Sequence, residues 1–345
     1  MIKQELQYKI LVVGLGSMGK RRIRNIKALG YKNIYGFDIR VDRRGGDNDL
    51  KDVVIIDNVD EAIKTLNIEA IIISVPPDIH HFYINKAIDN NIHFFVEASV
   101  VDYGMDQIID KLKSSKIIAA PSSTLYFHPA IQKIFTIIRN RELGTITNFI
   151  YQSGQYLPDW HSYEKVQEYY VSKKETGGAR EIVPFELTWI TKILGFPKQV
   201  AGIVKKTIDI DGAENIDDTY NALLNYNGFI LNLSIDVVSR HATRKLLING
   251  SEKQLVWNWD DNCIKIYDSK TEKWELWEYK INLAALGYNK NITEQMYMDE
   301  LINFFEAIEG KKDFFNSMEY DHKILKLLYA IEKSSQESKF ENFEN

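Results

Sequence analysis

The chain has 345 residues, of which 45% are hydrophobic, 26% charged and 12% aromatic, with a mean hydropathy of -0.28; this is enough apolar surface to fold in water and too much length for one ordinary core, so two domains are expected. Its 43 Lys and Arg against 48 Asp and Glu leave a net charge of -5, which offers no field for nucleic-acid phosphates. Apolar runs such as Ala70 to Ile73 fall far short of the ~20 residues of a membrane helix, Met1 to Ile10 is too polar for a signal peptide, and the single Cys263 excludes an internal disulfide or a thiolate metal centre, so the expectation is a cytoplasmic protein with no metal, nucleic-acid or membrane partner.

Lys9 to Val13 is a short run of Ile, Leu and Val that leads into Gly14-Leu15-Gly16-Ser17-Met18-Gly19. Ile23, Ile26 and Leu29 then mark one face of a helix stopped by Gly30. A second strand over Asn33 to Phe37 ends in Asp38, nineteen residues after Gly19. Strand, glycine turn, helix and an acid about 20 residues on form the dinucleotide-binding pattern. The glycines let backbone N–H groups approach a pyrophosphate, and the acid accepts hydrogen bonds from ribose hydroxyls. Asp38 favours NAD over NADP because a carboxylate repels a 2′-phosphate, with Arg40 two residues later working the other way.

The alternation continues with strands over Glu69 to Ser74, Ile92 to Glu97 and Lys116 to Ala120, and helices from a cap at Asp78 through Asn90 and from Tyr103 to Ser114. This predicts an α/β domain with a doubly wound parallel sheet. Ligands of such sheets lie beyond the carboxyl ends of the strands, so the loops Pro76-Pro77-Asp78 and Glu97-Ala98-Ser99 are expected near the nicotinamide, with Ser74 among the cofactor-binding residues.

After Pro121 the rhythm changes. A helix is expected over Pro129 to Arg139, a strand over Ile146 to Gln152, a polar and aromatic loop over Gln155 to Lys174, and a helix from about Pro184 to Leu194. Strand-like segments follow at Gln199 to Lys206, Thr219 to Tyr226, Phe229 to Val238, Lys245 to Gly250, Gln254 to Trp259 and Ile264 to Asp268, with Asn227-Gly228 as a hairpin signal. They predict an α+β domain built on a large, mainly antiparallel open sheet. Two helices, marked by Leu301, Phe304, Phe305 and Ile308 and by Ile324, Leu327, Leu328 and Ile331, close the chain as core-packing elements before a polar tail after Glu332 that is expected to fray.

These residues resemble the Gfo/Idh/MocA family, named for glucose-fructose oxidoreductase, inositol dehydrogenase and a rhizopine-catabolism protein. The resemblance runs over nearly the whole chain: Gly14 to Gly19, Pro76 to His80 for Pro-Asn-x-x-His, Glu97-Ala98-Ser99 for Glu-Lys-Pro, Phe127-His128-Pro129, and Thr176-Gly177-Gly178 before the central helix. Gln155-Tyr156-Leu157-Pro158-Asp159-Trp160 is similar to a segment of the sugar and surface-glycan branch. The resemblance implies a Rossmann domain over 1–122, a substrate and oligomerisation domain over 123–345, assembly as a homodimer or homotetramer, and hydride transfer between NAD(P) and a carbon of a sugar or cyclitol; with Asp38 the leading expectation is an NAD-dependent oxidoreductase of a sugar or nucleotide sugar.

Two departures bear on the chemistry. The family lysine position holds Ala98, and the family proton-transfer histidine position, read without gaps, holds Phe185; neither side chain moves a proton. Removing a hydride from an alcohol requires its proton to be taken up, and positioned acid–base help contributes roughly 10²–10⁴-fold. The candidate acceptors are Tyr126, His161, Tyr163, Glu181 and Glu186. Tyr156, Trp160, His161 and Tyr163 are expected to face the sugar, with Arg180 and Glu186 as a polar wall. His80 reads as a residue fixing a helix start beside the cofactor, Glu97 as an acid orienting its loop, and His128 as a cap. The alternatives are a cofactor-binding partner subunit without turnover, and a non-redox enzyme that recycles bound NAD.

Overall fold

Runs of β-branched residues form the first sheet. The computed structural model describes residues 8–161, 164–282 and 292–343. Strands β1 (Ile10–Val13), β2 (Ile34–Phe37), β3 (Val54–Ile55), β4 (Ala70–Ile73), β5 (His93–Val96) and β6 (Ala119–Pro121) lie in the order β3-β2-β1-β4-β5-β6, every pair parallel. β1 and β4 are buried along their whole lengths, as continuous apolar runs in a sheet covered on both faces should be. The strand order reverses between β1 and β4, which makes the end of β1 the switch point at which such sheets bind dinucleotides.

Helices α1 (Ser17–Ala28), α2 (Val59–Leu66), α3 (His80–Asp89) and α4 (Met105–Leu112) make the crossovers. Two further elements join this unit: β3 is only two residues long, and α2 is capped by Asn58, whose side chain accepts from the N–H groups of Asp60 and Glu61. Asp78 lies in a short 3-10 turn, Pro77–Ile79, directly ahead of α3.

The chain forms two compact units, Met1–Thr124 with Tyr297–His322, and Leu125–Met296 with Lys323–Asn345. The chain thus returns to the first unit after most of the second has been built. The physical reason is the apolar stripe of α7 (Glu294–Ile308): Leu301, Phe304 and Phe305 are buried in one cluster with Ile10, Val12, Ile23, Ile26 and Phe95.

The second unit carries α5 (Pro129–Arg139), α6 (Ala179–Leu194) and most of α8 (Met318–Glu337) with a second sheet. Its strands are β7 (Ile146–Tyr156), β8 (Gln199–Lys205), β9 (Thr219–Asn225), β10 (Ile230–Asp236), β11 (Val238–Gly250), β12 (Lys253–Asn258), β13 (Cys263–Asp268), β14 (Lys273–Glu278) and β15 (Glu341–Asn342). Their order is β14-β13-β12-β11-β7-β10-β9-β8-β15, antiparallel except for β10 with β7. The β9–β10 hairpin turns at Asn227-Gly228, where Gly228 has φ +96°. The polar tail does not fray: α8 runs to Glu337, and β15 pairs with β8 beyond it.

One face of this sheet is packed through Phe149, Tyr151, Leu224, Leu231 and Leu233. On the other face the register aligns Ala201, Leu223, Asn232, Ile150, Leu247, Val256, Lys265 and Leu276 in one row, of which Ile150, Leu223 and Leu276 are exposed. No helix among the described residues is long and apolar enough to cross a membrane, and no described cluster of His, Cys, Asp and Glu could hold a metal.

Candidate active site

In the first unit the glycine loop is set by steric need. Gly14 has φ +91°, and a Cβ there would lie 2.3 Å from the Ser74 carbonyl oxygen. A Cβ on Gly19 would lie 1.8 Å from the Gly14 carbonyl oxygen, so α1 starts against its own turn only with glycine present. Leu15, Gly16, Ser17 and Met18 complete the turn into α1. α1 is capped by Gly16 with no side-chain cap and has no acid in its first turn, leaving its positive end for an anion.

Asp38, just after β2, is buried and ties the glycine turn to the segment that follows β2. Its Oδ2 accepts from the Leu15 N–H at 2.7 Å, and its Oδ1 accepts from the Arg40 N–H at 2.8 Å. Each oxygen retains a lone pair for a ribose hydroxyl. The Arg40 guanidinium pairs with Asp42 at 2.9 Å. An uncapped helix end, a cradle that a Cβ would fill, and a buried acid beside it fit a dinucleotide.

On the adjoining strand ends, Ser74 donates to Glu97 Oε1 at 3.2 Å, and Pro76 opens the turn that leads to His80. His80 is buried, which pushes its imidazole down to about 4, so it is neutral; Nε2 lies 2.9 Å from the Val75 carbonyl oxygen and donates to it. This holds the start of α3 to its loop. Glu97 is gripped by fully buried Arg22, with Nε to Oε1 at 2.7 Å and Nη2 to Oε2 at 2.8 Å. Arg22 also reaches Glu300 of α7 at 3.0 Å, and Glu300 accepts from Ser122, the Ser123 N–H and Thr124. Burial pushes the Glu300 carboxyl up, and Arg22 opposes it. Glu97 is therefore a loop anchor. Ala98 follows it with only a methyl group, and Ser99 is bonded to the buried carboxyl of Asp321, which burial raises to about 6. The glycine-and-acid pattern did not reveal Arg22, Glu300 or Asp321.

In the second unit α6 begins at Ala179, five residues before the expected start, and carries Pro184 inside it. Arg180 and Glu181 thus belong to its first turn. Arg180 does not form a free polar wall: it pairs with Glu332 of α8 at 2.6 Å and donates to the Glu175 carbonyl, while Tyr220 adds a bond to Glu332 at 2.9 Å.

Glu186, expected as a polar wall and candidate acceptor, lies on the sheet side of α6. It is fully buried and accepts from Tyr151 (2.6 Å), Trp189 (2.9 Å), Ser153 (2.9 Å) and Arg244 (2.8 Å), two donors to each oxygen. A carboxylate so saturated holds α6 to the sheet and has no lone pair for a substrate proton.

Glu181 differs in every respect. Its Oε1 accepts from the Tyr170 hydroxyl at 2.6 Å, while Oε2 is buried with no partner among the described residues. A carboxylate in the first turn of a helix is normally held low by the helix dipole, an effect under about one pKa unit. Burial outweighs it and carries Glu181 up to about 7, against the lowering bond from Tyr170. Glu181 stands one helical turn before Phe185, on the same face.

The aromatic segment leads to the same point. His161 stacks on Tyr169 with ring centroids 4.6 Å apart, and Tyr169 meets Tyr170 edge-on at 6.0 Å. Trp160 is half-buried, and its indole N–H has no partner among the described residues. Tyr156 lies under the Arg240 guanidinium at 3.9 Å. Tyr126 packs edge-on against Phe127 and Phe135. His128 caps α5 by accepting from the Ala130 N–H at 3.2 Å, and burial pushes it down to about 3. Tyr163 lies outside the described residues. Sequence spacing did not single out Tyr170; its nearness to Thr176-Gly177-Gly178 was the available signal.

Sheet order, glycine cradle and acid define a dinucleotide-binding domain. Residues 8–101 match the family model described as the oxidoreductase family with an NAD-binding Rossmann fold, and residues 131–256 match the GFO/IDH/MocA C-terminal domain. The chain belongs to the Gfo/Idh/MocA family of oxidoreductases. No curated protein matches its sequence.

Among solved structures it is similar to levoglucosan dehydrogenase in complex with NADH and levoglucosan, at 14% identity and a TM-score of 0.84, covering 98% of this chain and 100% of that one. It is also similar to myo-inositol 2-dehydrogenase from Lactobacillus plantarum (18%, TM-score 0.81, 98% and 100%). A third is an oxidoreductase from Agrobacterium radiobacter in complex with NAD+, L-tartaric acid and magnesium (11%, TM-score 0.84, 98% of both). At these identities the likeness is one of fold.

Proposed function

We propose that this oxidoreductase acts on a CH–OH carbon of a sugar or nucleotide sugar, and that Glu181 replaces the missing lysine and histidine as its proton acceptor. The observation that carries the reading is the Glu181 carboxyl, with one oxygen bonded and the other without a partner among the described residues, on the α6 face of Phe185. The dinucleotide, when bound, supplies the hydride acceptor or donor. The chain must then hold the alcohol proton, and an acid poised near neutral pH does so most effectively. Trp160 and His161 provide aromatic faces for sugar C–H groups and an N–H for a hydroxyl.

In this reading residues 1–122 bind the cofactor, and 123–345 bind the sugar and assemble the oligomer. The exposed row through Ile150, Leu223 and Leu276 is the surface on which copies pair as a homodimer or homotetramer. The lone cysteine and acidic balance suit a cytoplasmic enzyme.

The test is a sugar and nucleotide-sugar panel followed at the NADH absorbance band. Turnover by the wild type is expected, with kcat and kcat/KM both falling about 10²–10⁴-fold in Glu181→Gln. Silence toward the whole panel, with NADH binding shown by titration, would favour the partner-subunit alternative.

A further inference from the structure

We infer that Tyr170 is a positioning residue for the Glu181 carboxyl, pinning Oε1 so that Oε2 is left as the single oxygen that exchanges the proton. The inference rests on the assignment of Glu181 as acceptor and adds the residue that sets its orientation.

The geometry begins at the glycines before α6. A Cβ on Gly177 would lie 1.8 Å from the Val171 carbonyl oxygen, so the turn Tyr170–Ser172 folds against the start of α6 only with glycine there. The Gly178 N–H donates to the Val171 carbonyl at 3.1 Å, and the Gly177 N–H to the Lys173 carbonyl at 2.8 Å. The Thr176 hydroxyl donates to the Tyr170 carbonyl at 2.8 Å. The backbone of Tyr170 is thereby fixed to the helix that bears Glu181, and its hydroxyl donates to Oε1 at 2.6 Å, a charge-assisted length.

A carboxylate has two equivalent oxygens, and a rotating one presents either. Occupying Oε1 with a held phenol removes that choice. Two influences act on the carboxyl: burial, which raises it, and the Tyr170 hydroxyl, which lowers it by favouring the charged form. Arg180, next to Glu181 along α6, is paired with Glu332. Tyr170 therefore both orients the acid and keeps it ionisable near neutral pH.

The experiment is a carbon-13 NMR titration of the full-length protein with labelled glutamate carboxyls, no sugar added, the Glu181 signal being assigned by its loss in Glu181→Gln. In Tyr170→Phe the Glu181 midpoint is expected to rise by about one pH unit or more, because a hydrogen bond to the charged form is lost. The NADH dissociation constant should stay unchanged. An unmoved midpoint would overturn the inference. The wild type gives a second reading that needs no variant: the Tyr170 ring Cζ signal should titrate with the same midpoint as Glu181, and a flat Cζ signal would also overturn it. Neither reading uses turnover. A shifted midpoint in a protein that oxidises no sugar therefore upholds the positioning role while removing the catalytic one, and sugar turnover with an unmoved midpoint does the reverse.

Discussion

Glu181 and Glu186 sit on one helix five residues apart, and the same substitution should move stability in opposite directions. Glu186→Gln leaves Arg244 buried without its counter-charge and sets an amide NH2 among four donors. Removing one partner of a buried pair costs about 3–5 kcal/mol. Glu181→Gln removes a carboxyl raised from 4.5 to about 7 by burial. Because the folded value lies above the unfolded one, the native charged form carries its full penalty above pH 7. The penalty fades as the pH falls toward 4.5, where the native group is protonated and the unfolded one increasingly so. Glu181→Gln should therefore stabilise at pH 8 by about 2–3 kcal/mol after allowing for partial solvent contact, and by much less at pH 5. The assay is urea unfolding followed by tryptophan fluorescence, since all six tryptophans lie within the second unit and Trp189 bonds Glu186 directly. An unchanged midpoint for Glu186→Gln, or equal destabilisation by both variants at pH 8, would refute the reasoning.

Asp38→Ala should weaken NADH binding and narrow the preference over NADPH, because the anchor of the glycine loop and the ribose acceptor are lost together; calorimetric titration with both cofactors checks it, and an unchanged ratio contradicts it. Ile150→Lys together with Leu276→Lys should yield monomers by light scattering at micromolar concentration, where the wild type is larger; a monomeric wild type would remove the open sheet as an assembly surface. Trp160→Ala should raise the KM of whichever sugar the panel identifies and leave NADH affinity as it was; an unaltered KM would take the segment out of the site.

Much of the fold is legible because its signals are local. Gly14 to Gly19 announces the switch point through sterics alone, α5 runs from Pro129 to Arg139 as its periodicity requires, and Asn227-Gly228 turns a hairpin. Signals that depend on tertiary cover are weaker. Pro184 read as a helix start, yet it sits in the interior of α6, where proline removes one N–H without ending the helix. The first half of β11 hides in Ser239 to Arg244, a polar stretch where the register shifts between Val238 and Thr243. The site divides the same way. The glycines and Asp38 carry their own spacing rule, whereas choosing between Glu181 and Glu186 depends on which face of α6 meets the sheet. Glu186 stands at i+4 from Ile182, i+3 from Val183 and i−4 from Ile190, on the buried stripe, and that spacing marks it as a core acid. Tyr170 follows no spacing rule, because the turn that brings it to Glu181 closes only through Gly177 and Gly178.

The measurement that tests the central claim most directly is the pH dependence of kcat/KM for oxidation of the best sugar in the panel, in the wild type and in Glu181→Gln. A base must be ionised to take the alcohol proton, so the wild-type rate should fall tenfold per pH unit below about 7, and this limb should vanish in the variant along with about 10²–10⁴-fold of the rate. A limb that persists unchanged in Glu181→Gln would show that another group takes the proton and would contradict the account.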